Sequence, residues 1–340
     1  MKASVFKRIR IKTWEEFYRE VSSKLRDQVS PCRKKDLTCL EKIFVRKLEA
    51  IRDIILDEYS ATADALKEIS GHPFTRELYR AQTGIDPGDD WAKLVARRRV
   101  VNEIYRGVKS RKPQQAAKAE LVYWFRAGLG RLLSVYKRDK KVFARVKNFL
   151  VEVSKLPDVE GDMVVVLAGV PQVGKSTLLS KLTSSKPEIG SYPFTTKTLI
   201  AGHMDIWPYG RIVLIDSPGV LESPIEDKNL IEYKAILAVK YLADYMLFLI
   251  DPSPNFYFSL SEQLNVYKSL KKLLGDKSIT IVINKVDTVD SSLLEEVSKK
   301  IREETGLEPL HISALTGLNL DRLRNILKEA LMERKQLLSQ

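Results

Sequence analysis

The chain has 340 residues, with 57 Lys and Arg against 44 Asp and Glu, for a formal net charge of +13. Its 44% hydrophobic and 8% aromatic content is enough for packed cores, which excludes a disordered chain, and its length suits two domains. The two cysteines, Cys32 and Cys39, are too few for a disulfide scaffold and lack the second pair of a structural zinc site, so reduced thiols are expected.

Residues 1–156 are expected to form a basic helical bundle. Thr13-Trp14-Glu15-Glu16 has the form of a capping box and opens a stripe of Trp14, Phe17, Tyr18, Val21 and Leu25. Apolar positions from Leu37 to Ile55 continue at helical spacing, and Gly71-His72-Pro73 marks a break. Helical stretches are expected near 74–82 and 91–107. Leu121 to Tyr136 reads as one long amphipathic helix and Val142 to Val153 as another. Pro157 to Gly161 breaks the pattern, so residues 157–162 are assigned to a linker.

From residue 163 to 340 short β-rich runs alternate with amphipathic segments. Strands are expected at Met163–Ala168, Arg211–Ile215, Tyr245–Ile250, Ile279–Ile283 and Pro309–Ile312. Helices fall near 175–184, 229–242, 259–274, 291–305 and 319–337, and Thr198–Trp207 adds an antiparallel edge strand. The overall class is α plus α/β, with a helical bundle followed by a mostly parallel sheet carrying a phosphate loop. No run reaches the roughly 20 apolar residues of a membrane span, and residues 1–8 do not read as a secretory signal. A soluble cytoplasmic protein with no membrane partner is expected.

Gly169-Val170-Pro171-Gln172-Val173-Gly174-Lys175-Ser176 matches G-x-x-x-x-G-K-[ST] between a strand and a helix, and Thr177 follows it. Glycines let backbone N–H groups converge on a phosphate, and the helix N-terminus adds positive potential. Lys175 would reach the β- and γ-phosphates, and the Ser176 hydroxyl would ligate Mg²⁺. Asp216-Ser217-Pro218-Gly219 ends a strand, where Asp216 can hold Mg²⁺ and the Gly219 N–H can meet a γ-phosphate. Thr195 and Thr196 lie in the interval where a threonine would complete the Mg²⁺ shell, and Thr196 is preferred. Lys175, Thr196 and Gly219 are thus the candidate catalytic groups. Asn284-Lys285-Val286-Asp287 follows another strand. An in-plane Asp287 carboxylate accepts two hydrogen bonds from guanine but finds no such pair on adenine. Asn284 would brace the loops and the Lys285 stem would stack on the base. Ser313-Ala314-Leu315 ends the last strand, where the Ala314 N–H can meet guanine O6. The carboxyl ends of parallel strands are where a nucleotide binds. GTP or GDP with Mg²⁺ is therefore the expected ligand set.

The order of these motifs resembles the translation-factor class of GTPases. Ser191 to Lys197 followed by Gly202-His203, Gly219 to Pro224 and Asn229 to Ala238 resemble the switch regions and following helix of the nucleolar GTP-binding protein 1 family, kin of the Obg-like GTPases. His72-Pro73-Phe74-Thr75-Arg76-Glu77-Leu78-Tyr79 resembles a block of that family's N-terminal helical domain. The resemblance spans about residues 5–337. It implies a GTPase that assists assembly of the large ribosomal subunit, contacts ribosomal RNA and is stimulated by a ribosomal or protein partner. A nucleolar location would follow if the chain is eukaryotic. Gln172 stands where the family's loop has an Asn that helps several relatives hold K⁺, so the resemblance leaves K⁺ open as a further cofactor. Glu222-Ser223 replaces an acidic-basic pair. The chain resembles the short archaeal type, and roles of the longer members' C-terminal extension are not carried over. Val220 stands where signalling GTPases place a water-orienting Gln, so slow intrinsic hydrolysis is expected.

The charge is localised. Residues 93–147 hold 17 basic side chains against Glu103, Glu120 and Asp139, which accounts for the whole imbalance. That pattern fits a phosphate-rich partner. The candidate RNA contacts are Arg97, Arg98, Arg99, Lys109, Arg111, Lys112, Lys137, Arg138, Lys140 and Lys141. Tyr105, Trp124, Phe125 and Tyr136 are interleaved there, with core packing expected before base stacking. Two other functions share these features: an RNA-binding scaffold with a nearly inert nucleotide site, and a related GTPase acting on tRNA or in stress signalling. The oligomeric state is not specified by the sequence.

Overall fold

The computed structural model describes residues 3–26, 36–114, 116–157, 159–183, 187–191, 198–216, 222, 236 and 240–339. The chain divides into two compact units, Val5–Val151 and Glu152–Gln340 together with Met1–Ser4.

The first unit is helical. Its elements are α1 (Ala3–Arg8), α2 (Trp14–Arg26), α3 (Leu37–Gly71), α4 (Pro73–Thr83), α5 (Pro87–Ser110) and α6 (Lys118–Val153), whose last turn enters the second unit. Local chemistry sets the boundaries. The Thr13 hydroxyl accepts from the Glu16 N–H at 3.2 Å while the Glu16 carboxylate accepts from the Thr13 N–H at 2.6 Å, closing the capping box that starts α2. Pro73 and Pro87 occupy first-turn positions of α4 and α5, where a missing N–H costs nothing. Cys39, near the α3 N-terminus, is disulfide-bonded rather than the expected free thiol, and Cys32 lies outside the described residues.

The two helices expected from Leu121 to Val153 are one helix of 36 residues. The charged run Lys137-Arg138-Asp139-Lys140-Lys141, which lies between the two expected helices, continues the helix. Tyr136, Asp139 and Phe143 share one face at i, i+3 and i+7, and Asp139 is buried there. The Tyr59 hydroxyl donates to Asp139 Oδ2 at 2.8 Å, and Arg97 and Lys93 lie 3.2 and 3.4 Å from its carboxylate. Around it Phe17 stacks on Tyr136 and Tyr136 on Phe143, with centroids 3.7 and 4.4 Å apart.

A second buried polar cluster ties α5 to α6. Asp90 accepts from the Tyr79 hydroxyl at 2.6 Å and from Arg145 at 2.7 Å. Burial first, and then the Asp90 hydrogen bond, push the Tyr79 hydroxyl well above its ordinary range, so it remains a donor. Asp90→Ala leaves the guanidinium and the hydroxyl without their acceptor. It is expected to lower stability by roughly 3 kcal/mol, read as a shift in the urea midpoint of the full chain. A midpoint within error of the parent would contradict the assignment.

Among the described residues the second unit is a seven-stranded sheet with helices. It contains β1 (Met163–Ala168), α7 (Lys175–Leu182), β2 (Glu188–Ser191), β3 (Thr198–Ile206), β4 (Gly210–Asp216), β5 (Tyr245–Ile250), α8 (Leu260–Leu274), β6 (Ser278–Ile283), α9 (Ser291–Thr305), β7 (Leu310–His311) and α10 (Leu320–Ser339). The order across the sheet is β2-β3-β4-β1-β5-β6-β7. The pairs from β4 through β7 are parallel, while β2–β3 and β3–β4 are antiparallel. β3 is therefore not the edge, because Glu188–Ser191 pairs outside it. That short strand is largely exposed and has no apolar alternation to announce it. β1 and β5 are buried along their whole length, as central parallel strands require. Of the helix expected near 229–242, only Ile236 and residues 240–242 are described, and they are helical.

The linker assigned to residues 157–162 ends against this sheet. The Asp162 N–H donates to the Arg211 carbonyl at 2.7 Å, the Arg211 N–H returns to Asp162 Oδ2 at 2.8 Å, and Lys335 pairs with Asp162 at 2.9 Å. The division between units falls accordingly at 151–152. Among the described residues no helix is long and apolar enough to cross a membrane.

Candidate functional site

The site gathers at the carboxyl ends of β1, β4, β5, β6 and β7. β1 delivers the chain into the loop Gly169–Gly174 and α7 takes it away. Gly169 has φ +137°, and a Cβ there would lie 2.5 Å from the Leu249 carbonyl; Gly174 has φ +97°, and a Cβ there would lie 2.3 Å from Asn284 Nδ2. Only glycine fits either place. Gln172 also takes a left-handed backbone, with φ +66°. Pro171 and Val173 lie in the same loop, Val173 buried beneath it.

Lys175 opens α7 and is only 6% exposed. Its ammonium donates to the Gly169 and Val170 carbonyls at 2.9 and 3.0 Å and pairs with the Glu222 carboxylate at 2.9 Å. Next to it the Ser176 hydroxyl donates to Asp216 Oδ2 at 2.5 Å, and Asp216 is fully buried at the end of β4. Gln172, Gly174, Lys175, Ser176, Thr177, Asp216 and Glu222 line one cavity of about 250 Å³. Ser176 and Asp216, chosen from the sequence as metal ligands, thus stand side by side. A hydroxyl and a carboxylate beside a phosphate loop fit Mg²⁺, which takes few protein ligands and completes its shell from phosphate and water. Thr195, Thr196, Gly219 and Val220 lie outside the described residues, as do most of the two segments that contain them.

The base-side loops are braced to the phosphate loop through Asn284. It is 2% exposed, and its amide donates to the Val173 carbonyl at 2.8 Å while its Oδ1 accepts from the Ala314 N–H at 2.9 Å. One side chain therefore links all three loops. Lys285 has φ +59°, and its ammonium pairs with buried Asp251 at 2.6 Å and lies 5.3 Å from the Phe256 ring centre. Asp287 follows in a 3₁₀ turn, Val286–Thr288, with its side chain exposed. Ser313 is buried and its hydroxyl accepts from the Thr316 N–H at 3.1 Å, which tightens the last loop; Leu315 is exposed.

Two site residues are not announced as such by the sequence motifs. Asp251 follows β5 and fixes Lys285; it also accepts from the Ser253 N–H at 2.9 Å. Its signal was available, since it is an acid at the carboxyl end of a wholly apolar strand. Glu222 was noted only as a departure from a motif. Nothing local tells that its carboxylate reaches Lys175.

The basic stretch is less free than its composition suggests. Arg97 is held by Asp139, Lys109 lies 3.3 Å from Glu49, and Lys112 pairs with Glu41. Those three of the ten candidate RNA contacts are neutralised by carboxylates from distant parts of the helical unit. Arg98, Arg99, Arg111, Lys137, Arg138, Lys140 and Lys141 are exposed. Tyr105, Trp124, Phe125 and Tyr136 are core residues, each at most 9% exposed.

A parallel sheet with a glycine loop at the end of β1, Lys175 and Ser176 at a helix start, and Asp216 at a strand end defines a P-loop GTPase domain. The family profile described as 50S ribosome-binding GTPase matches residues 164–285. An uncharacterised protein of Methanocaldococcus jannaschii is 36% identical over 269 residues, covering 76% of this chain and 73% of that one. Nucleolar GTP-binding protein 1 of Caenorhabditis elegans is 34% identical over 204 residues, covering 59% of this chain and 30% of its own length. A solved Plasmodium falciparum chain titled as nucleolar GTP-binding protein 1 is 27% identical with a TM-score of 0.43, covering 54% of this chain and 98% of that chain. The chain belongs to one family with the Methanocaldococcus jannaschii protein, and it is similar to nucleolar GTP-binding protein 1 over the matched residues. It spans about a third of the length of the nucleolar relatives it matches.

Proposed function

We infer that this protein is a GTP-hydrolysing switch that assists assembly of the large ribosomal subunit and contacts ribosomal RNA through its helical unit. The observation that carries the reading is the Asn284 bridge. Because it ties the phosphate loop to both base-side loops, phosphate and base contacts belong to one nucleotide site. The family profile and the names of the relatives supply the ribosomal direction. The exposed basic residues of α5 and α6 support an RNA partner through phosphate contacts.

Phosphoryl transfer depends mainly on positioning and charge stabilisation. In this reading Lys175 leaves Glu222 for the β- and γ-phosphates, and the loop N–H groups hold the β-phosphate. Ser176 and Asp216 would hold Mg²⁺, which neutralises phosphate charge when bound. Asp251 keeps Lys285 in place below the base, and Asp287 reads the guanine edge. Val220 cannot orient water, so the intrinsic rate is slow and a ribosomal or protein partner accelerates it. The protein works in the cytoplasm, or in the nucleolus of a eukaryote.

The test is GTP turnover with and without purified large ribosomal subunits. Slow turnover alone and marked acceleration by the subunits are expected. No turnover in either condition would favour an inert scaffold. Acceleration by tRNA, and none by subunits, would redirect the switch.

A further inference from the structure

The helical unit carries an apolar groove of about 580 Å³ where the end of α5 meets the first turns of α6. Tyr123, Ala127 and Arg131 recur at i, i+4 and i+8, so one face of α6 forms its wall. Trp124 lies under it, 9% exposed, with its indole N–H donating to the Val108 carbonyl at 2.9 Å. Tyr123 is the opposite case: an aromatic ring 77% exposed beside a tryptophan. Arg111 and Arg131 also line the groove and are exposed. Glu120, the one acid among the described lining residues, is engaged locally and accepts from the Ala117 N–H at 3.1 Å.

We propose that this groove takes an unpaired RNA base, stacked on Tyr123, with the flanking phosphates held by Arg111 and Arg131. The proposal rests on the reading that the helical unit binds RNA. Charge complementarity selects the occupant. The groove lies in the 55-residue stretch that carries the chain's positive excess, of which Arg97, Lys109 and Lys112 are neutralised by carboxylates. Exposed Arg98, Arg99, Lys137, Arg138, Lys140 and Lys141 belong to the same stretch. Such a surface asks for many phosphates, where an acidic peptide would answer only locally. An exposed aromatic face beside guanidinium groups is how proteins hold a splayed base, because every base has a π-face and every nucleotide a phosphate. A duplex keeps its bases stacked inside and offers Tyr123 nothing.

The test uses the full chain and fluorescence anisotropy. The probes are an oligoadenylate of about a dozen nucleotides and the same strand annealed to its complement. The single strand is expected to bind more tightly than the duplex. Tyr123→Ala should weaken single-strand binding roughly tenfold or more and leave the duplex unchanged. Tyr123→Phe keeps the ring and should keep the affinity. Arg131→Gln should reduce the slope of log K against log salt by about one. Unchanged single-strand affinity in Tyr123→Ala, with the parent protein still binding RNA, would overturn the base subsite alone. Failure of the parent to bind either probe at low salt would overturn the RNA reading as well. An oligoglutamate peptide that binds in a Tyr123-dependent way, where oligoadenylate does not, would assign the groove to a protein and also overturn the proposal.

Discussion

The Lys175→Ala protein is expected to lose tight binding of both GTP and GDP. The buried ammonium donates to two loop carbonyls, Gly169 and Val170, and pairs with Glu222, so its three N–H groups exchange these partners for phosphate oxygens when nucleotide binds. A charge-assisted hydrogen bond contributes about 1.5–3 kcal/mol, and two such contacts to phosphate oxygens amount to roughly 3 kcal/mol or more. The dissociation constant should therefore rise at least about a hundredfold, measured with a fluorescent guanine nucleotide. An unchanged constant would mean that the loop N–H groups suffice. Glu222 makes an informative opposite case. Its carboxylate sits 2.9 Å from the Lys175 ammonium, so an incoming phosphate competes with it for one cation. Glu222→Gln removes the competing charge and should tighten nucleotide binding. Weakened binding in that variant would show that the pair organises the site instead of opposing the ligand.

Asp287→Asn should move the base preference from guanine to xanthine. A carboxylate accepts from the guanine N1–H and from its exocyclic amine. An amide presents an N–H₂ group to one of those donors and loses the match. Xanthine carries an oxygen where guanine carries the amine, so the amide then donates where the carboxylate accepted. Two hydrogen bonds to a charged acceptor are at stake, about 3 kcal/mol or more, so GTP affinity should fall roughly a hundredfold while xanthosine triphosphate gains. Asp287 is exposed in a 3₁₀ turn, and the change leaves the packing untouched. Retained GTP preference in a competition titration would remove Asp287 from base recognition.

Much of the sheet unit was legible because parallel strands are continuous apolar runs and each loop at their carboxyl ends carries a recognisable group. Met163–Ala168 and Tyr245–Ile250 were read with the observed boundaries. β2 was not, because four mostly exposed residues pairing at an edge leave no hydrophobic signal. In the helical unit the capping box at Thr13 was legible, since its two hydrogen bonds join residues three apart. The continuity of α6 was hidden by its charged run. Periodicity treats Asp139 as a solvent residue, whereas Tyr59 and Arg97 make it an interior one.

The sequence by itself determined the class of chemistry. The spacing of Gly169, Gly174, Lys175 and Ser176, and the strand ends at Asp216 and Asn284, are local features that a linear pattern can carry. Tertiary structure alone decided how those pieces meet and which charges remain available. Asn284 finds Val173 across 111 positions, Asp251 takes Lys285, and Glu222 takes Lys175. The same long-range pairing neutralises Arg97, Lys109 and Lys112 while it leaves Tyr123 exposed. Charge is counted along the chain, but a charge is neutralised, and a ring exposed or covered, only by what folding brings beside it.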